Sequence, residues 1–151
     1  LDREVNIVGD GPMRGELEAL AAATPTEVVF HGWLDNDDPR LRQLFETCSI
    51  FVFPSEAENF PTVLLEAMDA GMAIVTTNAK GCPEVVGEAG LTVPPRSPEA
   101  LVEATRRLAD DPSERQRLGQ AARQRLLENF DWRIVAQRYA ELYEAAAHGP
   151  R

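Results

Sequence analysis

Two glutamates stand on either side of a predicted helix start, and their types and spacing could do chemistry. Glu58 and Glu66 are separated by seven residues, and Pro61 lies between them. The fixed φ of proline suits the first turn of a helix, where its missing N–H is not needed. Because Glu66 sits among apolar neighbours, we expect its carboxylate to be buried, which is costly unless a group hydrogen-bonds it. A hydroxyl group of a bound ligand would be such a partner.

The start of a helix also attracts anions. Its first backbone N–H groups are unpaired and its dipole is positive at that end, which favours a phosphate group there. Carboxylates repel phosphate but accept hydrogen bonds from the hydroxyls of sugars and ribose. A helix start flanked by two glutamates therefore suits a sugar nucleotide better than a bare phosphate.

The elements around these residues predict an α/β fold, because short apolar runs alternate with amphipathic stretches. This alternation is typical of a Rossmann-like parallel sheet with helices on both faces. The predicted strands are residues 5–8, 28–31, 50–53, 73–77 and 91–93. Seven helices are predicted. The first starts at Pro12, the second after Pro39, the third covers residues 61–70, and the fourth makes at most one turn at 83–86. The fifth runs from a Ser97 cap to Asp111, the sixth over about 113–129, and the last is capped by Asp131.

Length and composition limit the classes of function. The chain has 151 residues, a net charge of -10 and a pI of about 4.6. We expect one domain over residues 1–147 and a frayed tail at 148–151. The acidic balance argues against binding to nucleic acid, which requires clustered lysine and arginine. Without a leader or a membrane-length apolar run, a cytoplasmic location is expected. Cys48 and Cys82 are interpreted as free thiols.

The chain resembles the C-terminal, donor-binding half of retaining GT-B glycosyltransferases, of the family 4-like group 1 type. Nearly the whole length carries the resemblance, and the paired-glutamate stretch is its most specific part. The matching segments are Ile7-Val8-Gly9-Asp10-Gly11-Pro12, Val29-Phe30-His31-Gly32, Ile50-Phe51-Val52-Phe53-Pro54-Ser55, residues 58–66, Pro83-Glu84-Val85-Val86 and Leu91-Thr92-Val93-Pro94-Pro95.

The resemblance implies a role for each site residue. Glu58, the implied catalytic residue, would contact hydroxyls of the transferred sugar, and Glu66 would contact those of the ribose. The backbone of Phe60, Pro61, Thr62 and Val63 would bind the diphosphate, and Trp33 and Leu34 would border the base. The implied ligand is a UDP-, GDP- or ADP-linked sugar, transferred with retention at the anomeric carbon. Neither a metal nor a cofactor is expected.

Two departures from the family pattern have consequences. Asn59 and Pro61 replace the usual glycine pair, which removes one N–H donor; the Thr62 hydroxyl is the candidate replacement. The chain also opens at the family's second strand, so we expect a fragment that lacks the acceptor domain and the first strand. Without the first strand, we expect an altered strand order, a strand-mediated or swapped dimer, or uncovered strand edges.

Other interpretations of the whole chain were weighed. A non-catalytic donor-binding or interaction subunit that needs a separate acceptor chain is the alternative function, and a role at the membrane surface is left to the acceptor half. Paired carboxylates also occur in glycoside hydrolases, but there they face each other across a scissile bond. Here both flank one helix start, which disfavours hydrolysis.

Several single residues have structural interpretations. Glu56 lies too early for the motif spacing and is expected to be solvated, as is Lys80. The acidic run of residues 35–38 is expected to cap a helix rather than bind a metal. His31 is expected to pack or contact backbone, and Glu84 to cap or brace the turn that follows it.

For each of two features, two interpretations remain open. Gly9-Asp10-Gly11-Pro12 forms a turn or lies near the nucleotide. The apolar stripe of the last helix, with Trp132, Val135, Tyr139, Leu142 and Ala146, either packs wholly on its own sheet or is partly exposed.

Overall fold

A computed structural model describes residues 3–148 of the chain. These residues form two compact units that meet in the sequence between Cys48 and Ser49. All strand pairs within the sheets are parallel. The α/β fold class is therefore confirmed, with the strands divided between two sheets.

The first unit contains two strands and two helices. Strand β1 (Val5–Val8) is followed by helix α1 (Arg14–Ala22), strand β2 (Val28–Gly32) and helix α2 (Pro39–Thr47). β1 and β2 pair in the register Val5 to Val28, with an irregularity between Ile7 and Val8. Helix α1 starts at Arg14 rather than at Pro12, because a turn in which the Arg14 N–H donates to the Gly11 carbonyl precedes it.

The second unit contains three strands and five α-helices. In chain order these are β3 (Ile50–Phe53), α3 (Thr62–Asp69), β4 (Ala73–Thr77), α4 (Cys82–Val86), β5 (Gly90–Val93), α5 (Pro98–Asp110), α6 (Pro112–Asn129) and α7 (Trp132–His148), with a 3₁₀ turn at Gly87–Ala89 between α4 and β5. The strand order is β3-β4-β5. β4 lies in the middle, so the ends of β3 and β4 are neighbours.

Most of the core lies in the second unit. All five residues of β4 are buried, as expected for the central strand of a sheet covered on both faces. Leu108 of α5 and Leu118 of α6 pack with Ala73 and Val75 of that strand. Gly119 brings α6 so close to the turn after α3 that a β-carbon there would lie 2.1 Å from the Gly71 carbonyl oxygen.

The structure corrects two expectations, on the Ser97 cap and on the sheet, and adds a contact of His31. The Ser97 side chain makes no capping hydrogen bond at the start of α5. His31, expected to pack or to contact backbone, is half-buried, and its Nε2 lies 2.6 Å from the Asn6 side-chain oxygen. The strands of the expected single sheet form a two-stranded and a three-stranded sheet, so within residues 3–148 β1 and β3 are each paired on one side only.

No residue of helix α7 is fully buried, and Ile134 and Val135 are half-buried. The helix packs against α6. Trp132 is 84% exposed and Leu142 is 63% exposed, so the alternative that the apolar stripe packs wholly on its own sheet is wrong. His148, expected in the tail, is the last helical residue, and residues 149–151 lie outside the described part. No helix among the described residues is long and apolar enough to cross a membrane.

Candidate functional site

The loop between β3 and α3 carries Glu58 and is fixed at the carboxyl end of β4. The buried Thr76 hydroxyl donates to the Phe53 carbonyl at 2.9 Å, and the Thr77 hydroxyl donates to the Ser55 carbonyl. Both threonines stand at the end of their strand, where the parallel neighbour β3 also ends. Ligands of α/β sheets generally bind outside the carboxyl ends of strands, so the loop lies at the expected edge.

Glu58 is half-buried and held by its own loop. The Ser55 hydroxyl lies 2.9 Å from Oε1 of Glu58 and donates to it. Because this hydrogen bond uses one carboxylate oxygen, the other has acceptor capacity for a further hydroxyl group. The carboxylate is thus oriented by a donor three residues before it.

A second support comes from Gly81, in the turn between β4 and α4. A β-carbon at Gly81 would lie 2.6 Å from the Asn59 carbonyl oxygen and 2.8 Å from that of Glu58. Its φ of 95° is in the region that favours glycine. The Gly81 N–H donates to the Glu84 carboxylate at 2.8 Å, so Glu84 braces the turn before it and not, as expected, the turn that follows it.

Helix α3 begins without a side-chain cap. Pro61 is its N-cap residue, with extended backbone, and accepts from the Leu64 N–H at 3.1 Å. The N–H groups of Thr62 and Val63 precede any possible intrahelical acceptor and so remain for another partner. Thr62 is exposed, Val63 and Glu58 are half-buried, and Phe60 is 48% exposed. The helix start is therefore an accessible, positively polarised end beside a carboxylate.

The expectation that Glu66 is buried is wrong, because the residue is exposed. The buried face of α3 consists of Leu64, Ala67 and Met68, and Glu66 lies on the opposite face with Thr62 one turn before it. A helix turns 100° per residue, so apolar neighbours in sequence do not surround a side chain in space. An exposed carboxylate does not need a ligand for stability, but it is open to one.

Trp33 and Leu34, predicted to border the base, belong to the first unit. Trp33 is 74% exposed, and its indole N–H donates to Asp35 at 3.1 Å. Leu34 is 5% exposed and so is buried. An exposed indole face can stack on a base, whereas the Leu34 side chain has little surface for contact. Their predicted role with the nucleotide remains a prediction.

Two other acidic residues have structural roles, one as a helix cap and one in an exposed ion pair. Asp38 caps α2 by accepting from the Arg40 N–H at 2.8 Å. Glu56 is exposed and pairs with Arg96, whose hydrogen bond lowers the pKa of the Glu56 carboxyl. Within residues 3–148, His, Cys, Asp and Glu side chains form no group of three that could hold a metal ion.

The comparison with known families decides the assignment. The family described as "Glycosyl transferases group 1" matches residues 2–111. The chain belongs to this family.

Similar proteins of this glycosyltransferase family include glycogen synthase of Mycobacterium tuberculosis, which is 42% identical over 124 residues. That match covers 81% of this chain and 30% of the relative, so the chain spans about a third of the relative's length. Sucrose-phosphate synthase from Thermosynechococcus elongatus superimposes with a TM-score of 0.78 at 28% identity, over 96% of this chain and 39% of that one.

HepE of Anabaena has the same fold, with a TM-score of 0.79 at 23% identity, over 93% of this chain and 40% of that one. Its crystal structures contain UDP or UDP-glucose.

Sequence reasoning on this glycosyltransferase chain missed the residues that support the loop. The contact of Thr77 could have been predicted, since a polar residue at the end of an apolar strand often forms a hydrogen bond to the end of the neighbouring strand. The Phe130 ring packs against the Phe60 ring of the loop, and Arg125 lies over the Phe130 ring. No sequence signal indicated these two residues, because both lie far along the chain from the loop.

Proposed function

We propose that this chain is the donor-binding half of a retaining glycosyltransferase, which moves a sugar from a nucleoside diphosphate to an acceptor. One observation carries the proposal: the uncapped start of α3 lies between a half-buried Glu58 and an exposed Glu66, in a loop at the carboxyl end of β3. Membership of the group 1 family supports it. The binding of UDP and UDP-glucose by HepE, a protein of the same fold, is consistent with it.

The reaction breaks the bond between the anomeric carbon and the diphosphate. Negative charge grows on the phosphate oxygens as the bond breaks, and positive charge grows on the sugar ring. The Thr62 and Val63 N–H groups, at the positive end of the helix dipole, stabilise the phosphate charge and are fixed before the reaction begins. The Thr62 hydroxyl adds a donor where Pro61 has none. This positive potential needs no metal, and transfer by the complete enzyme should persist when divalent cations are chelated.

Glu58 orients the sugar by accepting from its hydroxyls, while the Ser55 hydroxyl keeps the carboxylate in place. Glu66 accepts from the ribose hydroxyls on the exposed face of α3. Binding and orientation are the contributions of this chain, and attack by the acceptor requires the other half of the enzyme. The isolated chain should therefore bind nucleotide weakly and transfer nothing.

Calorimetry with UDP-, GDP- and ADP-sugars tests the proposal, with Glu66→Ala as the informative variant. A hydrogen bond to a charged group contributes about 1.5–3 kcal/mol, so binding should weaken about tenfold or more. Asp69→Ala is the matched control, because Asp69 is an exposed acid of the same helix. Equal binding by wild type and Glu66→Ala would refute the role of Glu66. Absence of binding by wild type to every donor would refute the proposed function.

A further inference from the structure

The loop that carries Glu58 is held from a second direction by aromatic packing. The Phe60 ring meets the edge of the Phe130 ring, with centroids 5.8 Å apart and planes inclined by 62°. Phe130 follows the last residue of α6. Edge-to-face pairs at this distance are favourable beyond the area that they bury. The position of Phe60 therefore depends on the end of α6.

Arg125 of α6, five residues before Phe130, lies against the same ring. Its guanidinium carbon is 5.8 Å from the Phe130 ring centroid, within the range of a cation–π contact. The Arg125 side chain is half-buried. The order of contacts is thus Phe60, Phe130 and Arg125.

The same guanidinium group closes the end of α4. Its Nε–H donates to the Val85 carbonyl at 2.8 Å, and a terminal N–H donates to the Glu84 carbonyl at 2.9 Å. Carbonyls in the last turn of a helix lack intrahelical donors, so these bonds satisfy them. The guanidinium also fills the space beside Gly87, where a β-carbon would lie 2.7 Å from its carbon.

Helix α4 leads back to the loop through its first turn. Glu84 accepts from the Gly81 N–H, and Gly81 lies against the carbonyl groups of Glu58 and Asn59. Arg125 therefore touches two supports of residues 58–60: the aromatic pair on one side and α4 with its Gly81 turn on the other.

We infer that Arg125 is a positioning residue for donor binding, although it lies outside the Glu58–Glu66 motif. It fixes the backbone of residues 58–60, and hence the Glu58 carboxylate and the start of α3, at the distance that the donor requires. The planar guanidinium is needed, because lysine has no fork to bond two carbonyls while it stacks on a ring. The inference rests on the proposed function for its binding consequence, but the fixed loop can be measured without a ligand.

The test compares Arg125→Met with Arg115→Met. Arg115 is a matched control, since it lies on the same helix and one of its N–H groups donates to the Leu108 and Ala109 carbonyls, at 2.6 and 3.2 Å. It thus closes the end of α5 as Arg125 closes α4. Thermal unfolding, UDP affinity by calorimetry and hydrogen exchange at the amides of residues 58–60 are measured for both variants.

Both variants should unfold at a lower temperature than wild type. Arg125→Met alone should weaken UDP binding by about tenfold and accelerate exchange at residues 58–60 by a similar factor. Arg125→Lys should behave like Arg125→Met. Phe130→Leu removes the aromatic contact but keeps the hydrogen bonds to α4, so it should lose less UDP affinity and less protection at residues 58–60. It replaces Arg125→Met in the test if that variant does not fold.

The inference is overturned if the Arg125 variants have the same amide exchange rates at residues 58–60 and the same UDP affinity as wild type. It is also overturned if Arg115→Met causes the same loss of binding, because the effect would then be one of general stability. If wild type binds a GDP- or ADP-linked donor but not UDP, the affinities are compared with that donor. If wild type binds none of these donors, the proposed function fails, and the exchange measurement still decides whether Arg125 fixes the loop.

Discussion

Replacement of Gly119 by alanine should destabilise the second unit, although alanine is the better helix former. The added β-carbon would lie 2.1 Å from the Gly71 carbonyl oxygen, and real contacts are essentially never below 3.0 Å, so α6 or the turn must move by at least 0.9 Å. The turn resists, because Gly71 has a φ of 70° and the N–H groups of Gly71 and Met72 bond the end of α3. Overpacking costs about 1–3 kcal/mol.

The expected magnitude follows from two opposing effects. Alanine in place of glycine favours a helix by about 1 kcal/mol. Since the obstacle is backbone rather than a movable side chain, the cost of overpacking lies near its upper limit, and the net loss should be about 2 kcal/mol. Gly15 is the control, because it lies in α1 and a β-carbon there meets nothing within 4 Å. Gly15→Ala should be neutral or up to about 1 kcal/mol stabilising.

Urea unfolding followed by circular dichroism measures both variants, with the midpoint and the slope fitted separately. A Gly119→Ala protein as stable as wild type would refute the reasoning, because it would show that α6 and the turn separate at little cost. An equal loss in Gly15→Ala would mean that the close approach is not the cause.

Two further predictions concern helix caps. Asp111→Ala should lower the free energy of unfolding by about 1 kcal/mol, because Asp111 accepts from the Ser113 and Glu114 N–H groups at the start of α6. Asp110→Ala, at the adjacent position, is the control and should not lower it. Equal unfolding midpoints for the two variants would contradict the prediction. Hydrogen bonds from the Arg40 side chain and then its N–H lower the pKa of Asp38. A lowered folded-state pKa means that this capping is complete above the ordinary carboxyl pKa and is lost as the pH falls through the lower value. The protection factor of the Arg40 amide, which is the exchange rate of an unprotected amide at the same pH divided by that of Arg40, should therefore fall in acid, and Asp38→Asn, which lacks the charge, should abolish this fall; a fall that persists in the variant would contradict the assignment.

The sequence predicted the elements of the fold well, for local reasons. Short apolar runs bounded by Gly, Pro, Ser or Asn placed β1, β3 and β4 at the residues where the structure has them. The division into two sheets could not be predicted, because it depends on which strands share hydrogen bonds and not on the apolar pattern of any one strand.

The candidate site could be predicted only in part. The Pro61 signal located the start of α3 to within one residue, and the Asp38 cap was predicted correctly. The expected burial of Glu66 was wrong, because it relied on sequence neighbours rather than on the helical period. The support of residues 58–60 by Arg125 joins segments more than sixty positions apart in the chain, and no local pattern encodes such a contact.

The uneven distribution of buried side chains has a consequence for how the chain opens. In the described part of the first unit only Gly32 and Leu34 are buried, whereas β4 and the helices around it contain most of the core. Units with little buried apolar surface open at a lower free-energy cost than the rest of a protein. Limited proteolysis should therefore cut first before Ser49, while the segment that carries both glutamates survives as the resistant fragment.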